Sequence, residues 1–184
     1  GPQPGEPLGQ LVAEGKLALT DTIGARLPDY PNADAQPATI SQLLEHTAGQ
    51  GRTLGHRFEH LAAVIKHLRG SRRVGVCLDT CHLLAAGLDI VTQTGLRDTL
   101  RSAEAVLGLA NVHVIHANDS KFPRASHVDR HAHIGEGYIG ADAFRRILTH
   151  PKLRRKPFIL ETPVDQEGDD RRNLDKLKLL ATRV

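Results

Sequence analysis

The sequence predicts an α/β fold, because short aliphatic segments alternate with helical patterns along the chain. Four such segments are visible: QLLE, RVGVCLD, VHVIH and PFILE, which end at Glu45, Asp79, His116 and Glu161. Each is short and nearly free of interior polar residues, which is typical of strands buried on both faces of a parallel sheet. We therefore expect strands that are joined by helices rather than by hairpins.

A helical pattern follows each predicted strand. The third runs from residue 141 to residue 150 and ends before Pro151, and the fourth begins near residue 170. The apolar positions recur at helical spacing. They are Leu54, Phe58, Leu61, Ile65 and Leu68 in the first helix, Leu96, Leu100, Ala103 and Leu107 in the second, and Leu174, Leu177 and Leu180 in the fourth.

The four strand ends lie 34, 37 and 45 residues apart, intervals that suit successive βα units. In a TIM-type (β/α) barrel the functional side chains lie at the carboxyl ends of the strands, so these four terminal residues are expected to converge. A full barrel takes about 250 residues, whereas this chain has 184 residues and shows four units. The prediction is a partial TIM-type (β/α) barrel with about four βα units of eight.

The first of the four segments permits two interpretations. TISQLLEHTAGQG, residues 39–51, starts with Thr39 as a potential helix N-cap and has Ile40, Leu43 and Leu44 at helical spacing. The same letters also suit an apolar strand that ends at Glu45 before a glycine-rich turn. Both interpretations stay open from the residues alone.

Composition limits the class of protein. The formal charge of +3 and a pI near 9.1 are compatible with a polyanionic partner but do not by themselves indicate one. Only 3% of the residues are aromatic, so few side chains are available to stack on single-stranded bases. No apolar run approaches the roughly 20 residues of a membrane span, and GPQPGEPLGQ lacks the features of a signal peptide. We expect a cytoplasmic protein without membrane contact, whose cysteines, Cys77 and Cys81, lie reduced in the core.

Histidine is unusually abundant, with 11 residues in the chain. Five of them fall within residues 113–133, at His113, His116, His127, His131 and His133. Together with nearby acids, this concentration indicates a metal site. We expect only His116 of the pair in VHVIH to reach the site, with His113 packed between sheet and helix and His127 in solvent.

Two short motifs add nitrogen and oxygen ligands of the kind that zinc takes in phosphoesterases. Asp79 and His82 stand three apart in DTCH, at a strand end and the turn after it. Asp129 and His131 alternate in VDRHAH, which places both on one side of an extended segment. In isolation, His82 suits a partly buried structural histidine equally well.

Residues 43–180 resemble the endonuclease IV family of zinc-dependent apurinic/apyrimidinic endonucleases. LLEHTAGQG, VGVCLDTCHLLAAGLDI, HANDSKFPRASHVDRHAHIGEGYIG and FILETP carry the resemblance, in the family's order. It implies a DNA-repair enzyme that cleaves duplex DNA on the 5′ side of an abasic site. It also implies that residues 45–184 form the C-terminal half of that family's barrel. The zinc ligands implied are Glu45, Asp79, His82, His116, Asp129, His131 and Glu161.

The same resemblance implies a role for each group. Glu45 and Asp79 would bridge zinc ions, and Glu161 would hold an ion and orient the attacking water, so that Glu45 and Glu161 are the catalytic carboxylates. His82, Asp129 and His131 would hold the ion that stabilises the leaving oxygen. In the adjoining loop, the residues expected to contact backbone phosphates are Ser120, Lys121 and Arg130.

The chain departs from the family in three respects. Two histidine ligands of the family's first zinc site come from strands that this sequence lacks, so two or three zinc ions are expected. The upstream loops that help to extrude the abasic nucleotide are also missing, and His46 replaces a usual asparagine. A half barrel leaves sheet edges open, so we expect copies of the chain to self-associate.

The amino-terminal segment suggests a different origin. Residues 11–49, LVAEGKLALTDTIGARLPDYPNADAQPATISQLLEHTAG, resemble the serine β-lactamase and penicillin-binding-protein-like family. The SxxK nucleophile motif is absent, so no β-lactamase activity is expected. Because LLEHTAGQG fits both families, we hypothesise that residues 1–44 are a β-lactamase-like fragment, not an independent domain, joined to residues 45–184.

Three functions follow as hypotheses. The first is the zinc-dependent endonuclease. Truncation of the barrel could abolish its activity. The alternative is a chimeric fragment that binds zinc without catalysis. A sugar isomerase-like barrel shares the fold and metal chemistry, but NDSK followed by DRH and IGEG is the nuclease pattern. Turnover of an aldose would distinguish the sugar isomerase from the other two functions.

Overall fold

The computed structural model describes residues 57–67 and 75–182. The chain divides into two units, residues 1–75 and 76–184. In the first unit the described element is helix α1 (Phe58–His67), in which Phe58 and His60 are buried. Glu45, with the strand predicted to end there and both interpretations of residues 39–51, lies outside the described residues.

The second unit alternates strands with helices. Its elements are β1 (Val76–Asp79), α2 (Thr80–Ala85), α3 (Gln93–Val106), a 3-10 turn (Leu109–Asn111), β2 (Val112–His116), β3 (Asp119–Ser120), β4 (His131–Ala132), α4 (Gly140–Thr149), β5 (Phe158–Ile159) and α5 (Asp169–Ala181). Strands β1, β2 and β5 form a parallel sheet in that order. The predicted α/β class is confirmed, and the last three predicted strands are present, although β5 ends at Ile159, two residues before the predicted Glu161.

The register of the sheet aligns the ends of its strands. Asp79 at the end of β1 pairs with His116 at the end of β2, and His116 pairs with Ile159 on β5. Side chains of laterally paired residues lie on one face, and alternation places Glu161 on the same face as Ile159. The register alone therefore brings three candidate ligands to one edge of the sheet.

Helices α3 and α4 bury one face each. In α3 the side chain of Thr92 caps the amino terminus by accepting from Gly95 N at 2.9 Å. The predicted apolar positions of this helix are all buried: Leu96, Leu100, Ala103 and Leu107. Helix α4 ends at Thr149, one residue before the predicted end, because the residue before Pro151 is driven out of helical conformation.

Helix α5 differs from the prediction. Leu177 and Leu180 are buried as expected, but Leu174 is 40% exposed and Asn173 is buried in its place. The side chain of Asn173 accepts from Ile134 N at 2.9 Å and donates to Asp169 O at 2.9 Å. A polar side chain occupies the core face here because it satisfies one backbone group of the loop, Ile134 N, and one of the helix's own first turn, Asp169 O.

Two further expectations about burial were wrong. His113 is exposed, whereas Val112 and Ile115, which lie on opposite faces of β2, are buried. Cys77 is also exposed, while Cys81 is buried as predicted. His127 is exposed, as expected.

Strands β3 and β4 form a two-residue antiparallel pair that closes the loop at 121–130. Directly after β4, the segment 135–140 wraps around the side chain of Asp119, which is fully buried. Its carboxylate accepts hydrogen bonds of 2.8–3.2 Å from five backbone nitrogens, those of Ser120, Gly135, Gly137, Ile139 and Gly140. A Cβ on Gly137 would lie 2.3 Å from Ser120 O, so only glycine fits there.

Within residues 57–67 and 75–182, no helix is long and apolar enough to span a membrane.

Candidate metal centre

The carboxyl ends of β1, β2 and β5 form the first part of the centre. Nδ1 of His116 lies 3.1 Å from Glu161 Oε2 and 3.6 Å from Asp79 Oδ2. Asp79 is buried, His116 is 23% exposed and the Glu161 carboxylate is 52% exposed. A nitrogen facing two carboxylates, open to solvent on the Glu161 side, is an arrangement that suits a divalent cation with room for water.

Asn118 fixes the two carboxylate-bearing segments relative to each other. Its fully buried side chain donates from Nδ2 to Asp79 Oδ2 at 2.7 Å and accepts at Oδ1 from Glu161 N at 2.8 Å. The backbone of Asn118 is held in turn by Thr80, whose Oγ1 accepts from Asn118 N at 2.9 Å and donates to its carbonyl at 2.7 Å. The amide thus ties the ends of β1 and β5 across β2.

Helix α2 places His82 beside the loop that carries Asp129. Asp79 is the N-cap of this helix, and its Oδ1 accepts from His82 N at 3.0 Å, which fixes the direction of the Asp79 side chain. Nε2 of His82 lies 3.0 Å from Asp129 Oδ2. Asp79 thus ends the strand and His82 lies in the helix directly after it, and their ligand atoms belong to one group of three with His131.

His131 approaches from the opposite side, on β4. Its Nδ1 lies 2.7 Å from Glu161 O, and because a carbonyl oxygen only accepts, Nδ1 carries the hydrogen. Nε2 is buried and lies 3.2 Å from Asp129 Oδ1. Histidine ligands of metals are oriented in this way, with one ring nitrogen donating to a carbonyl and the other directed at the ion.

The charges of this pair are strongly coupled. Hydrogen bonds from His131 and His82 hold the pKa of Asp129 well below its usual range. Burial acts to lower the pKa of His131, but hydrogen bonding to Asp129, Cys81 and the Glu161 backbone outweighs it and raises the pKa to about 11. The pKa of His82 is also raised, since its contact with Asp129 outweighs burial.

Six of the seven predicted ligands converge, and the seventh, Glu45, lies outside the described residues. Their ligand atoms form groups of three within 4.8 Å: Asp79, His82 and His131; Cys81, Asp129 and His131; and Asp79, His116 and Glu161. Imidazole and carboxylate donors in groups that share Asp79 or His131 suit zinc ions placed side by side. The donor set therefore fits the predicted metal.

Zinc affinity of the chain is expected to rise with pH. Because the pKa of His131 is about 11, this ring is protonated near neutrality and the proton must leave when zinc binds. For each proton that zinc displaces, the apparent zinc affinity rises about tenfold with each unit increase in pH, as long as the pH lies below that pKa. Competition titrations against a chromophoric chelator over about pH 6–9 would measure the slope. An affinity independent of pH would contradict the protonated state of His131.

The stability that the His131–Asp129 pair gives to the metal-free chain depends on pH in the opposite direction. A folded-state pKa above the unfolded value of about 6.5 means that the His131–Asp129 pair stabilises the fold below that pH. This contribution is lost as pH rises toward about 11.

The residues predicted to contact phosphate fall at the ends of the loop 121–130. Lys121 and Arg130 are exposed, and Lys121 N donates to Arg130 O at 2.9 Å, which places the two residues opposite each other. Ser120 differs from the expectation of a loop residue, because it lies on β3 and is fully buried. Its Oγ donates to Phe122 O at 2.8 Å, a contact that does not favour binding of phosphate.

Two residues that shape the centre, Asn118 and Asp119, were missed from the sequence, and Cys81, which was predicted only as a core residue, contributes its thiol to one of the donor groups. Asn118 and Asp119 follow β2 within HANDS, where a polar run directly after a buried strand was the available signal.

Comparisons with known proteins agree with this geometry. Probable endonuclease 4 of Solibacter usitatus (strain Ellin6076) is 65% identical over 181 residues, 97% of this chain and 60% of the relative. Probable endonuclease 4 of Alkaliphilus oremlandii (strain OhILAs) is 51% identical over 130 residues, 71% of this chain and 46% of the relative. The chain thus spans roughly half the length of these relatives.

The first of these alignments bears on the amino-terminal segment. Because it covers 97% of the chain, it includes most of residues 1–44. These matches do not support a β-lactamase-like origin for that segment, and the boundary at residue 44 stays a prediction.

A solved structure and a family model complete the comparison. The crystal structure of endonuclease IV from Thermus thermophilus is similar with a TM-score of 0.60 and 37% identity, over 72% of this chain and 46% of that one. The family model described as "Xylose isomerase-like TIM barrel" matches residues 33–181. The partial barrel predicted from the sequence is thereby confirmed. The chain belongs to the xylose isomerase-like TIM-barrel family, and the relatives described above are named as endonucleases.

Proposed function

We propose that this chain carries the C-terminal half of a zinc-dependent apurinic/apyrimidinic endonuclease, a DNA-repair hydrolase that cuts duplex DNA 5′ to an abasic site. The observation that carries the proposal is the convergence of six carboxylate and imidazole ligands, in three overlapping groups, in a chain whose relatives are named endonuclease 4. The cofactor is two or three zinc ions.

Zinc at these positions would neutralise phosphate charge and lower the pKa of water. Asp79 supplies a carboxylate whose two oxygens each accept one hydrogen bond and retain lone pairs for cations on either side. Glu161, half exposed at the solvent side, accepts a hydrogen bond from the attacking water and fixes its direction. Glu45 is proposed as the second catalytic carboxylate.

The side chains around Asp129 serve the departing oxygen. His82 and His131 approach the two carboxylate oxygens of Asp129 from different elements, so that the trio is held in place before substrate arrives. Lys121 and Arg130, exposed at the base of the same loop, are proposed to contact backbone phosphates on either side of the abasic nucleotide. Ser120 is the weakest member of that proposed set, because it is buried.

Nicking of a duplex with one abasic site tests the function. The zinc-loaded full chain is expected to cut 5′ to the lesion, and Glu161→Gln is expected to reduce the rate at least about a hundredfold, because a neutral amide accepts a weaker hydrogen bond from the attacking water and cannot take its proton. Glu167→Gln is the matched control, since Glu167 is exposed in the turn before α5. Nicking that survives Glu161→Gln would identify a contaminating nuclease.

Zinc content separates the two main hypotheses. A chain that holds two or three zinc ions without nicking would be a zinc-binding fragment without catalysis, which is the alternative function. A chain that binds no zinc would contradict both.

Self-association through open sheet edges is also proposed. The outer strands of the described sheet are β1 and β5, and Ile159 on β5 is 46% exposed. Pairing at such an edge buries backbone donors and apolar surface together. Sedimentation velocity that shows a monomer at all concentrations would contradict it. A cytoplasmic location stays a prediction.

A further inference from the structure

The centre contains one potential ligand of a different chemical class. Cys81 lies on α2, fully buried, with Sγ 3.8 Å from Arg130 O. Its sulfur, a carboxylate oxygen of Asp129 and a ring nitrogen of His131 all lie within 4.8 Å of one another. The thiol is thus one of three converging donors on three different segments.

His131 belongs to two groups at once. One group, with Asp79 and His82, offers nitrogen and oxygen donors, whereas the other, with Cys81 and Asp129, adds sulfur. Sulfur donors favour soft cations, and carboxylate and imidazole donors favour harder ones. The two groups therefore differ in metal preference while they compete for one imidazole.

We propose that Cys81, Asp129 and His131 form a binding position for a thiophilic divalent cation such as Cd²⁺, which overlaps the zinc position of His82, Asp129 and His131. The inference rests on the metal centre of the proposed function but requires no turnover. On binding, the Sγ–H bond breaks, the proton passes to solvent, and the sulfur electron pair forms the bond to the cation. No oxidant or reductant takes part.

Occupation of this position has a consequence for zinc. A cation held by Cys81 engages Asp129 and His131, the same two side chains that face His82 and each other in the nitrogen and oxygen arrangement. The two ions compete for shared donors. A soft cation would thus exclude zinc from this part of the centre.

Titration of the metal-free full chain with Cd²⁺ alone tests the proposal. The ultraviolet charge-transfer absorption from thiolate to cadmium is expected in the wild-type chain and absent in Cys81→Ser, whose near-identical shape preserves packing. Cys77→Ser is the matched control, because Cys77 lies four residues earlier and is exposed. It is expected to keep the absorption, and added Zn²⁺ is expected to reduce it.

Each result decides for or against the position. Absorption that survives Cys81→Ser and is lost in Cys77→Ser would assign the sulfur to the exposed cysteine and overturn the proposal. Cadmium bound without the absorption would mean nitrogen and oxygen ligands only, which also overturns it. Asp129→Asn, with the thiol intact, is expected to weaken cadmium binding about 10–100-fold. A chain that shows the absorption but does not nick DNA supports the position and contradicts only the proposed function.

Discussion

Replacement of Asp119 by alanine is expected to lower the free energy of unfolding by about 3–5 kcal/mol, because five backbone donors lose their acceptor inside the protein. The side chain is fully buried, and the donors come from segment 135–140 as well as from Ser120. Since single domains have only about 5–15 kcal/mol of stability, this loss brings the fold near its limit. Urea denaturation in the presence of a chelator measures it without a contribution from metal.

Asp142→Ala is the control for that experiment. Asp142 is 81% exposed and pairs with Arg145 one turn away on α4, so its loss is expected to cost less than about 1 kcal/mol. Equal effects of the two replacements would mean that the donors around Asp119 find other acceptors, and that the carboxylate does not organise the segment.

Replacement of Asn118 by alanine is expected to weaken zinc binding about 10–100-fold, the range found when a group that orients metal ligands is removed. The amide hydrogen-bonds Asp79 Oδ2 at 2.7 Å and Glu161 N at 2.8 Å. Its removal therefore frees both ligand-bearing segments from the bonds that position them. The affinity is measured by competition with a chromophoric chelator, on samples whose folding is verified by circular dichroism.

A second asparagine provides the comparison. Asn111 donates from Nδ2 to Leu107 O at 2.6 Å in the turn before β2. Asn111→Ala removes an amide hydrogen bond of the fold without changing the zinc ligands, so zinc affinity is expected to stay within about twofold of the wild-type value. If Asn118→Ala lowers stability and leaves zinc affinity unchanged, the amide supports the fold without positioning the ligands.

The strand ends were predictable because their signal is local. Aliphatic runs that end in Asp79 and His116 identify β1 and β2. The parallel direction of these strands then follows from the helices that connect them. The buried positions of α3 were equally accessible, since helical periodicity is a property of adjacent turns. The convergence of the ligands is therefore implicit in the pattern of the chain.

Burial of polar side chains was not predictable in the same way. Whether Asp119 lies inside depends on backbone donors about 20 residues later, and Asn173 replaces Leu174 in the core because Ile134 N requires an acceptor. His113 and Cys77 are exposed although they lie on opposite faces of the sheet, since Cys77 pairs with Val114, and alternation along β1 and β2 does not show what packs against each position. These features depend on tertiary partners that a local pattern does not encode.

The loop 121–130 and helix α2 hold two of the candidate ligands in different ways. Its backbone adopts positive φ at Ala125 and His127, and both amides donate to the last carbonyls of α2, those of Leu84 and Ala85. Asp129 thus lies on a loop that is held to α2 by these two bonds and closed on itself by the bond from Lys121 N to Arg130 O, whereas His82 belongs to a helix. These two ligands are 47 positions apart in the chain. An ion held by both would cross-link their two segments, and coordination would thereby add a further tie to a loop whose backbone contains strained positions.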